Sequence, residues 1–374
     1  KAPKMAEPVF DIGEFHRRLA ALQLAMSAKG IDSLLLTAPA DIFYVTGFLT
    51  RFWESPARPW FIVVPGSGQP TAIIPEIGAD LMGQTWLTDF RTWPAPQPAD
   101  DGISLLAEVL CAQSGAAGRI GTPMGAETHA RMPLADFARL THQVAPREIV
   151  DATDVVRQVR EVKSAAEIAC IARACTAAGA AFDRVRDFAG AGVPLDAVAR
   201  SFQIAALEAG ADWVSYLAAA AGPDGYANVI SPGETRALRS GDVMMLDTGA
   251  VRSGYLCDFD RNYAIGPPGA EVQRAQDALY RATDHALHQL RPGMRACDAH
   301  RLLAGAVEAA GVRPLSGRLG HGLGVSLTEW PSLAPSDVTP LRTGMVLTLE
   351  PGAEIRPGHI LVHEENILLH ETGP

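Results

Sequence analysis

Val243-Met-Met-Leu-Asp-Thr-Gly-Ala250 returns about a hundred residues later as Val346-Leu-Thr-Leu-Glu-Pro-Gly-Ala353. In both stretches apolar residues lead into one carboxylate, Asp247 or Glu350, then one residue and Gly-Ala. A second acid pair follows within fifteen residues of each: Asp258 and Asp260 in the first copy, Glu364 and Glu365 in the second. Carboxylates gathered in one place repel one another and resist burial. A bound cation is the usual physical answer, and four negative charges match two divalent ions. The C-terminal half therefore reads as the holder of a two-metal site.

Side chains alternate along a strand, so Asp258 and Asp260 point to one side and Phe259 to the other. Asp247 precedes Asp258 by eleven residues, with Gly249 and Gly254 between them. A turn near Gly254 would pair the two strands antiparallel and bring both acids to one face. The second copy offers Glu350 with either Glu364 or Glu365, and Gly352 and Gly358 at the connection. One residue of register decides between those two glutamates, and sequence alone leaves both open. Between the copies lies Gly320-His-Gly-Leu-Gly324, whose glycines allow close backbone approach and leave the His321 imidazole free to aim inward. One imidazole with four carboxylates is a hard ligand set that suits Mn²⁺, Fe²⁺, Co²⁺ or Zn²⁺, unlike a structural zinc site. Two such ions about 3.5–4 Å apart share a hydroxide that is nucleophilic at neutral pH, and a carboxylate takes its proton.

Outward from these strands, Ser164-Ala-Ala-Glu167 is a capping box that opens an Ala-rich helix reaching about Asp187. Helical patterns follow over Leu195–Glu208, 271–290 and 299–310. Helices, acid-bearing strands, helices, acid-bearing strands describe an internally duplicated α+β domain. Before it, a helical pattern over residues 10–29 stops at Gly30. Apolar runs at 33–37, 42–48, 59–65 and 71–75, a helix near 105–111 and a short strand at 119–121 read as a separate α/β domain ending near Val150.

At 374 residues two domains are expected, and 48% hydrophobic with 20% charged residues suits a globular protein with a sizeable core. A net charge of −10 without a basic block argues against nucleic acid as a partner. No run of eighteen apolar residues is present, so no membrane partner is expected. The opening KAPKMAEPVF lacks the apolar centre of a secretory leader. Five scattered cysteines without a CxxC pair fit reduced thiols and a cytoplasmic location.

Taken together, these residues resemble the family of methionine aminopeptidase, aminopeptidase P, prolidase and creatinase (M24), whose catalytic domain has the pita-bread fold. The resemblance covers most of the chain. Phe43-Tyr-Val-Thr-Gly-Phe48 and Val159-Arg-Glu-Val-Lys-Ser164 are similar to the creatinase and prolidase branch. It implies a pita-bread catalytic domain over 156–374, with a dimetal site, behind a creatinase-like α/β domain over 1–155. The family's ligand pattern is met in order by Asp247, Asp258, His321, Glu350 and Glu364. By similarity, Glu350 exchanges a proton with the bridging water. The activity implied is Xaa-Pro peptidase-like cleavage of a dipeptide or small amide by a metal-bridging hydroxide, with two divalent ions, manganese foremost. A homodimer is implied too, with each N-terminal domain near the partner's site, so that Trp53, Arg51 or Arg58 lines the neighbour's substrate pocket and Trp330 adds to it.

Three positions depart from the family pattern. Thr328 stands where peptidases of this type place His after GHGxG, Gly222–Ile230 lacks the second expected His, and Val362 stands where Arg is frequent. Those histidines orient substrate in the peptidases. The departures leave a second reading open: a repurposed C–N hydrolase, or a lyase on a small cationic metabolite such as dimethylsulfoniopropionate. In such lyases the segment after GHGxG resembles Thr328-Glu-Trp-Pro331. A non-catalytic binding protein ranks last, because no ligand is eroded.

Bland readings stand beside these. LDTGA is also the aspartic-protease signature, but that chemistry needs a second Asp-Thr/Ser-Gly, which is missing. Asp260 reads as a third ligand, a substrate-facing acid or a salt-bridge partner of Arg261. Trp53 and Trp60 read equally as local core. Cys257 reads as buried and inert.

Overall fold

The computed structural model describes residues 10–55 and 58–374. The opening stretch without a leader's apolar centre, up to Val9, and Pro56 and Ala57 between Trp53 and Arg58 lie outside them. The chain divides into two compact units, Lys1–Arg160 and Glu161–Pro374.

The first unit is built on a six-stranded sheet: β1 (Ser33–Leu36), β2 (Phe61–Pro65), β3 (Thr71–Pro75), β4 (Phe90–Trp93), β5 (Arg119–Thr122) and β6 (Glu148–Asp151). Their order is β4-β3-β2-β1-β5-β6, antiparallel from β1 through β3 and parallel at the flanks. The central strands are buried along their whole length, which is why they read as unbroken apolar runs instead of alternating ones. Leu106, Leu110 and Leu140, from helices Ile103–Gln113 and Leu134–Val144, pack against Leu35, Val63 and Ile73 of the sheet. Of the apolar run 42–48, without a period of its own, residues 42–46 form the end of the short helix Pro39–Thr46, which Gly47 stops with a φ of 77°.

The second unit opens on the helix Ala165–Asp183, and its capping box is formed. Ser164 Oγ accepts from Glu167 N at 3.2 Å, and the Glu167 carboxylate accepts from Ser164 N at 2.9 Å. This helix continues to Phe188 as a run long and apolar enough, by length and composition, to cross a membrane. Ala174, Ala178, Ala181 and Phe182 of that run pack into a core with Phe202 of the helix Leu195–Glu208 and with Leu246 and Phe259. Those last two residues belong to a sheet of β7 (Trp213–Gly222), β8 (Val243–Arg252) and β10 (Phe259–Ala264), with β8 central; β9 (Tyr255–Leu256) turns back on β8.

A second helix pair, Ala270–Gln289 and Ala296–Ala309, precedes the second group of strands. These are β11 (Arg313–Pro314), β12 (His321–Gly322), β13 (Glu329–Ser332), β14 (Val346–Leu349), β15 (Gly352–Arg356), β16 (His359–Val362) and β17 (Glu365–Leu368). One sheet has the order β13-β12-β14-β17, and a smaller one β11-β15-β16. Leu290, Leu303, Leu347, Leu349 and Ile367 bind the helix pair to the larger sheet. The unit is thus an α+β domain in which a helix pair and an acid-bearing sheet occur twice, the architecture of a pita-bread catalytic domain.

Candidate metal centre

The first copy meets the chemistry through a tight hairpin. Ser253 and Gly254 have φ of 55° and 79°, and Arg252 lies opposite Tyr255, the geometry of a two-residue turn with both central residues left-handed. Past it β10 runs back antiparallel along β8, setting Asp260 opposite Asp247 and Phe259 opposite Thr248. Alternation then sends Asp247, Asp258 and Asp260 to one face, while Cys257 and Phe259 pack in the helix-covered core. Tyr216 on β7 joins two of these acids: its hydroxyl lies 2.5 Å from Asp247 Oδ1 and also hydrogen-bonds Asp258 Oδ1.

The second copy is less regular. Leu349 is the last residue of β14, Glu350 and Pro351 interrupt the strand, and β15 and β16 form an inserted hairpin before the chain returns through Glu364. Thr348 fixes the local geometry. Its Oγ accepts from His321 N at 2.9 Å and donates to Glu350 Oε1. His321 Nδ1 lies 2.8 Å from its neighbour's carbonyl, Gly322 O, which assigns the proton to Nδ1 and leaves Nε2 for the acids. Nε2 is 3.1 Å from Glu350 Oε1 and 3.4 Å from Asp258 Oδ2. The close approach of β12 to β13 needs Gly322, because a Cβ there would collide with the Trp330 carbonyl.

Single donor atoms of Asp258, His321, Glu350 and Glu364 lie within 4.8 Å of one another. Asp247 adjoins them through Tyr216. Glu365 points elsewhere, into an ion pair with Arg261 at 2.7 Å. Asn366 steadies the first copy from the second: its Oδ1 accepts from Asp258 N at 3.0 Å, and its Nδ2 donates to the Asp258 carbonyl.

Burial and mutual repulsion dominate the electrostatics. Burial first, then Asp258, pushes Asp247 up to about 8 against the opposing hydrogen bond from Tyr216. Asp258 is raised, and Glu364 well raised, each chiefly by burial. Burial works against the charge on His321, but hydrogen bonds to Asp258 and Glu350 outweigh it and lift the imidazole to about 10. Glu350 is held low: burial opposes its charge, and His321 and Thr348 overcome it. A single phenolic hydroxyl serves two carboxylates at Tyr216, and burial raises both of those acids. Glu364 Oε1 is buried without a hydrogen-bond partner. An unpartnered buried oxygen beside three converging donors is what a cation would satisfy, so the residues fit a divalent metal centre.

The other candidate residues are placed as follows. Thr328 is half-buried in the turn before β13, outside the four-donor cluster. Trp330 is buried within β13. Its neighbour Glu329 forms a buried ion pair with Lys163 at 3.1 Å and accepts from Ser326 N at 3.0 Å, holding the turn that follows GHGLG. Trp53 packs in the first unit against Phe48 and Trp60, with ring centroids 5.9 and 5.5 Å away, and the Arg131 guanidinium lies 5.2 Å from its ring. Arg58 has φ of 65°, and its carbonyl accepts from Arg131 at 3.1 Å. Sequence reasoning did not find Tyr216, Thr348, Asn366 or Lys163. Thr348 and Asn366 each sit two residues from an acid, a spacing that places them beside it on a strand. Tyr216 carries no such sign.

A duplicated helix-and-strand domain that gathers buried acids around one imidazole suits a metal-dependent hydrolase. Residues 169–371 match the model of metallopeptidase family M24, and residues 18–162 match that of the creatinase/prolidase N-terminal domain. The chain belongs to metallopeptidase family M24. It is 27% identical over 366 residues to a probable dipeptidase PepE of Mycobacterium tuberculosis, covering 96% of this chain and 93% of the relative. It is 24% identical over 355 residues to an Xaa-Pro dipeptidase of Pyrococcus horikoshii, covering 93% of each. A crystal structure of the prolidase from Thermococcus sibiricus superposes with a TM-score of 0.86 at 24% identity, over 96% of this chain and 95% of that one.

Proposed function

We propose that this chain is a dinuclear-metal dipeptidase of the Xaa-Pro type. Asp247, Asp258, His321, Glu350 and Glu364 would hold two divalent ions, manganese foremost among them. The observation that carries the reading is the convergence of four donors within 4.8 Å, one of them with a buried unpartnered oxygen. Bound there, the ions would activate water and stabilise negative charge developing on a substrate carbonyl. Glu350 is the proton carrier of choice, since Thr348 and His321 fix its carboxylate and hold it ionised and ready to accept. Tyr216 orients the two aspartates, and the Lys163–Glu329 pair shapes the turn that presents Thr328.

Residues 156–374 would carry the catalysis. Residues 1–155 would supply Trp53 and Arg58 to the partner's substrate pocket in a cytoplasmic homodimer, with Trp330 contributing from the catalytic domain. The test is metal analysis of the purified protein together with proline release from Gly-Pro and Ala-Pro. About two transition-metal ions per chain with proline release is expected. A second reading rests on Thr328 and on the absence of His from Gly222–Ile230. Metal-loaded protein that releases no proline would favour a C–N hydrolase or lyase on a small cationic metabolite. Asp/Glu ligands unable to retain any ion would sink both. Dipeptidase activity gained by Thr328→His would support the orienting role of that position.

A further inference from the structure

We infer that Asp260 is an additional metal-facing donor, a fifth carboxylate beyond Asp247, Asp258, Glu350 and Glu364. The inference rests on the metal-centre reading and extends it. Asp260 is 0% exposed, and neither carboxylate oxygen has a hydrogen-bond partner. Its position in β10 is directly opposite Asp247 in β8 and two residues beyond Asp258, so all three acids share the face turned from the Phe259 core. On its other side the backbone of Glu364 reaches it, Glu364 N donating to Asp260 O at 3.4 Å. Asp260 is thus bracketed by acids from both copies.

The adjacent Arg261 makes no hydrogen bond to its carboxylate. Arg261 donates to the carbonyls of Asp260 and Glu364 and to the Glu365 carboxylate, and its guanidinium lies 5.0 Å from the Phe259 ring. Arg261 therefore spends its donors on the opposite side of the strand. A buried carboxylate with neither a donor nor a paired cation is among the costliest groups a fold can carry. Asp260 and the unpartnered Oε1 of Glu364 are two such acceptors, set side by side by the backbone hydrogen bond between their segments. A cation held there is the partner both lack.

The test compares the parent with Asp260→Asn, which keeps shape and removes charge, and with Asp260→Thr, a neutral residue suited to a strand should the amide misfold. Apoprotein is titrated with Mn²⁺ and with Co²⁺ by calorimetry and elemental analysis, the Co²⁺ visible spectrum is recorded, and melting temperatures are taken with and without metal. Asp260 as a donor predicts that one of the two ions binds at least about tenfold more weakly in the variants and that the Co²⁺ bands change. It also predicts that added metal raises the melting temperature of the parent by more than that of the variants, a difference that a merely structural carboxylate would not give. Variants that bind both ions as tightly as the parent, with unchanged Co²⁺ bands, overturn the inference alone. A parent that takes up no metal overturns the metal-centre reading and this inference with it.

Discussion

The two copies of the acid-bearing sheet do the same job with different backbones. In the first, Asp247 sits in the middle of an unbroken ten-residue strand, and its partner acid returns through a two-residue turn. In the second, Glu350 and Pro351 break the strand, and a whole hairpin intervenes before Glu364. Side-chain length follows the backbone: the regular copy uses aspartates, and the broken copy uses glutamates, which have one more methylene to reach with. Their supports differ as well. A phenol from a neighbouring strand ties the aspartates together, while a threonine two residues before Glu350 fixes the second copy from within its own strand. A duplicated fold thus keeps the direction of its acids while letting reach and support diverge.

The largest expected effect comes from removing what both copies would share. Exhaustive chelation should abolish hydrolysis of Ala-Pro, and added Mn²⁺ should restore it; activity that survives chelation would remove the reason for both copies to converge. Next is Glu350→Gln, which leaves the first copy intact. It should lower kcat by about 10²–10⁴-fold, measured under metal saturation, as expected for loss of a proton carrier. The supports follow. Tyr216→Phe and Thr348→Val should each weaken metal binding by about 10–100-fold, the size typical of groups that orient ligands. Because Asp258, His321 and Glu350 join the two supports in one network, their effects should couple in the double variant; simple additivity would mean that the copies act independently.

The smallest effect is on stability against pH. Asp247, lifted to about 8 in the metal-free fold, holds its proton more tightly folded than unfolded. Its contribution is complete below about pH 4 and is lost as pH rises toward 8. His321, lifted to about 10, acts in the same direction, its contribution being lost as pH rises from about 6.5 through 10. The melting temperature of metal-free protein should therefore fall by several degrees over that span. Metal-loaded protein should hold level, since cation binding favours the deprotonated ligands.

Much of this could be read before any coordinates. The echo of VMMLDTGA in VLTLEPGA exposes the duplication, and strand alternation sets Asp258 apart from Phe259. The Ser164 and Glu167 pair announces its helix because capping is a local interaction. Other features depend on tertiary placement and leave no local trace. The run at 42–48 is short and apolar throughout, so its helix is indistinguishable from a strand by pattern. Tyr216 comes 31 residues before Asp247, and only the pairing of β7 with β8 brings the two together. Choosing between Glu364 and Glu365 needed the register of β17, which sets Glu365 opposite Leu349 and gives it to Arg261.

The shared phenolic proton at Tyr216 has a consequence for how the metal centre fills. An empty pocket of acids would ordinarily splay under its own charge, yet here a single hydroxyl clasps two of them in place. The cavity would keep its shape between occupants, and an arriving ion would have to evict protons instead of rebuilding walls. Loading should register as acid released into a weakly buffered solution, in an amount that shrinks as the medium becomes more alkaline.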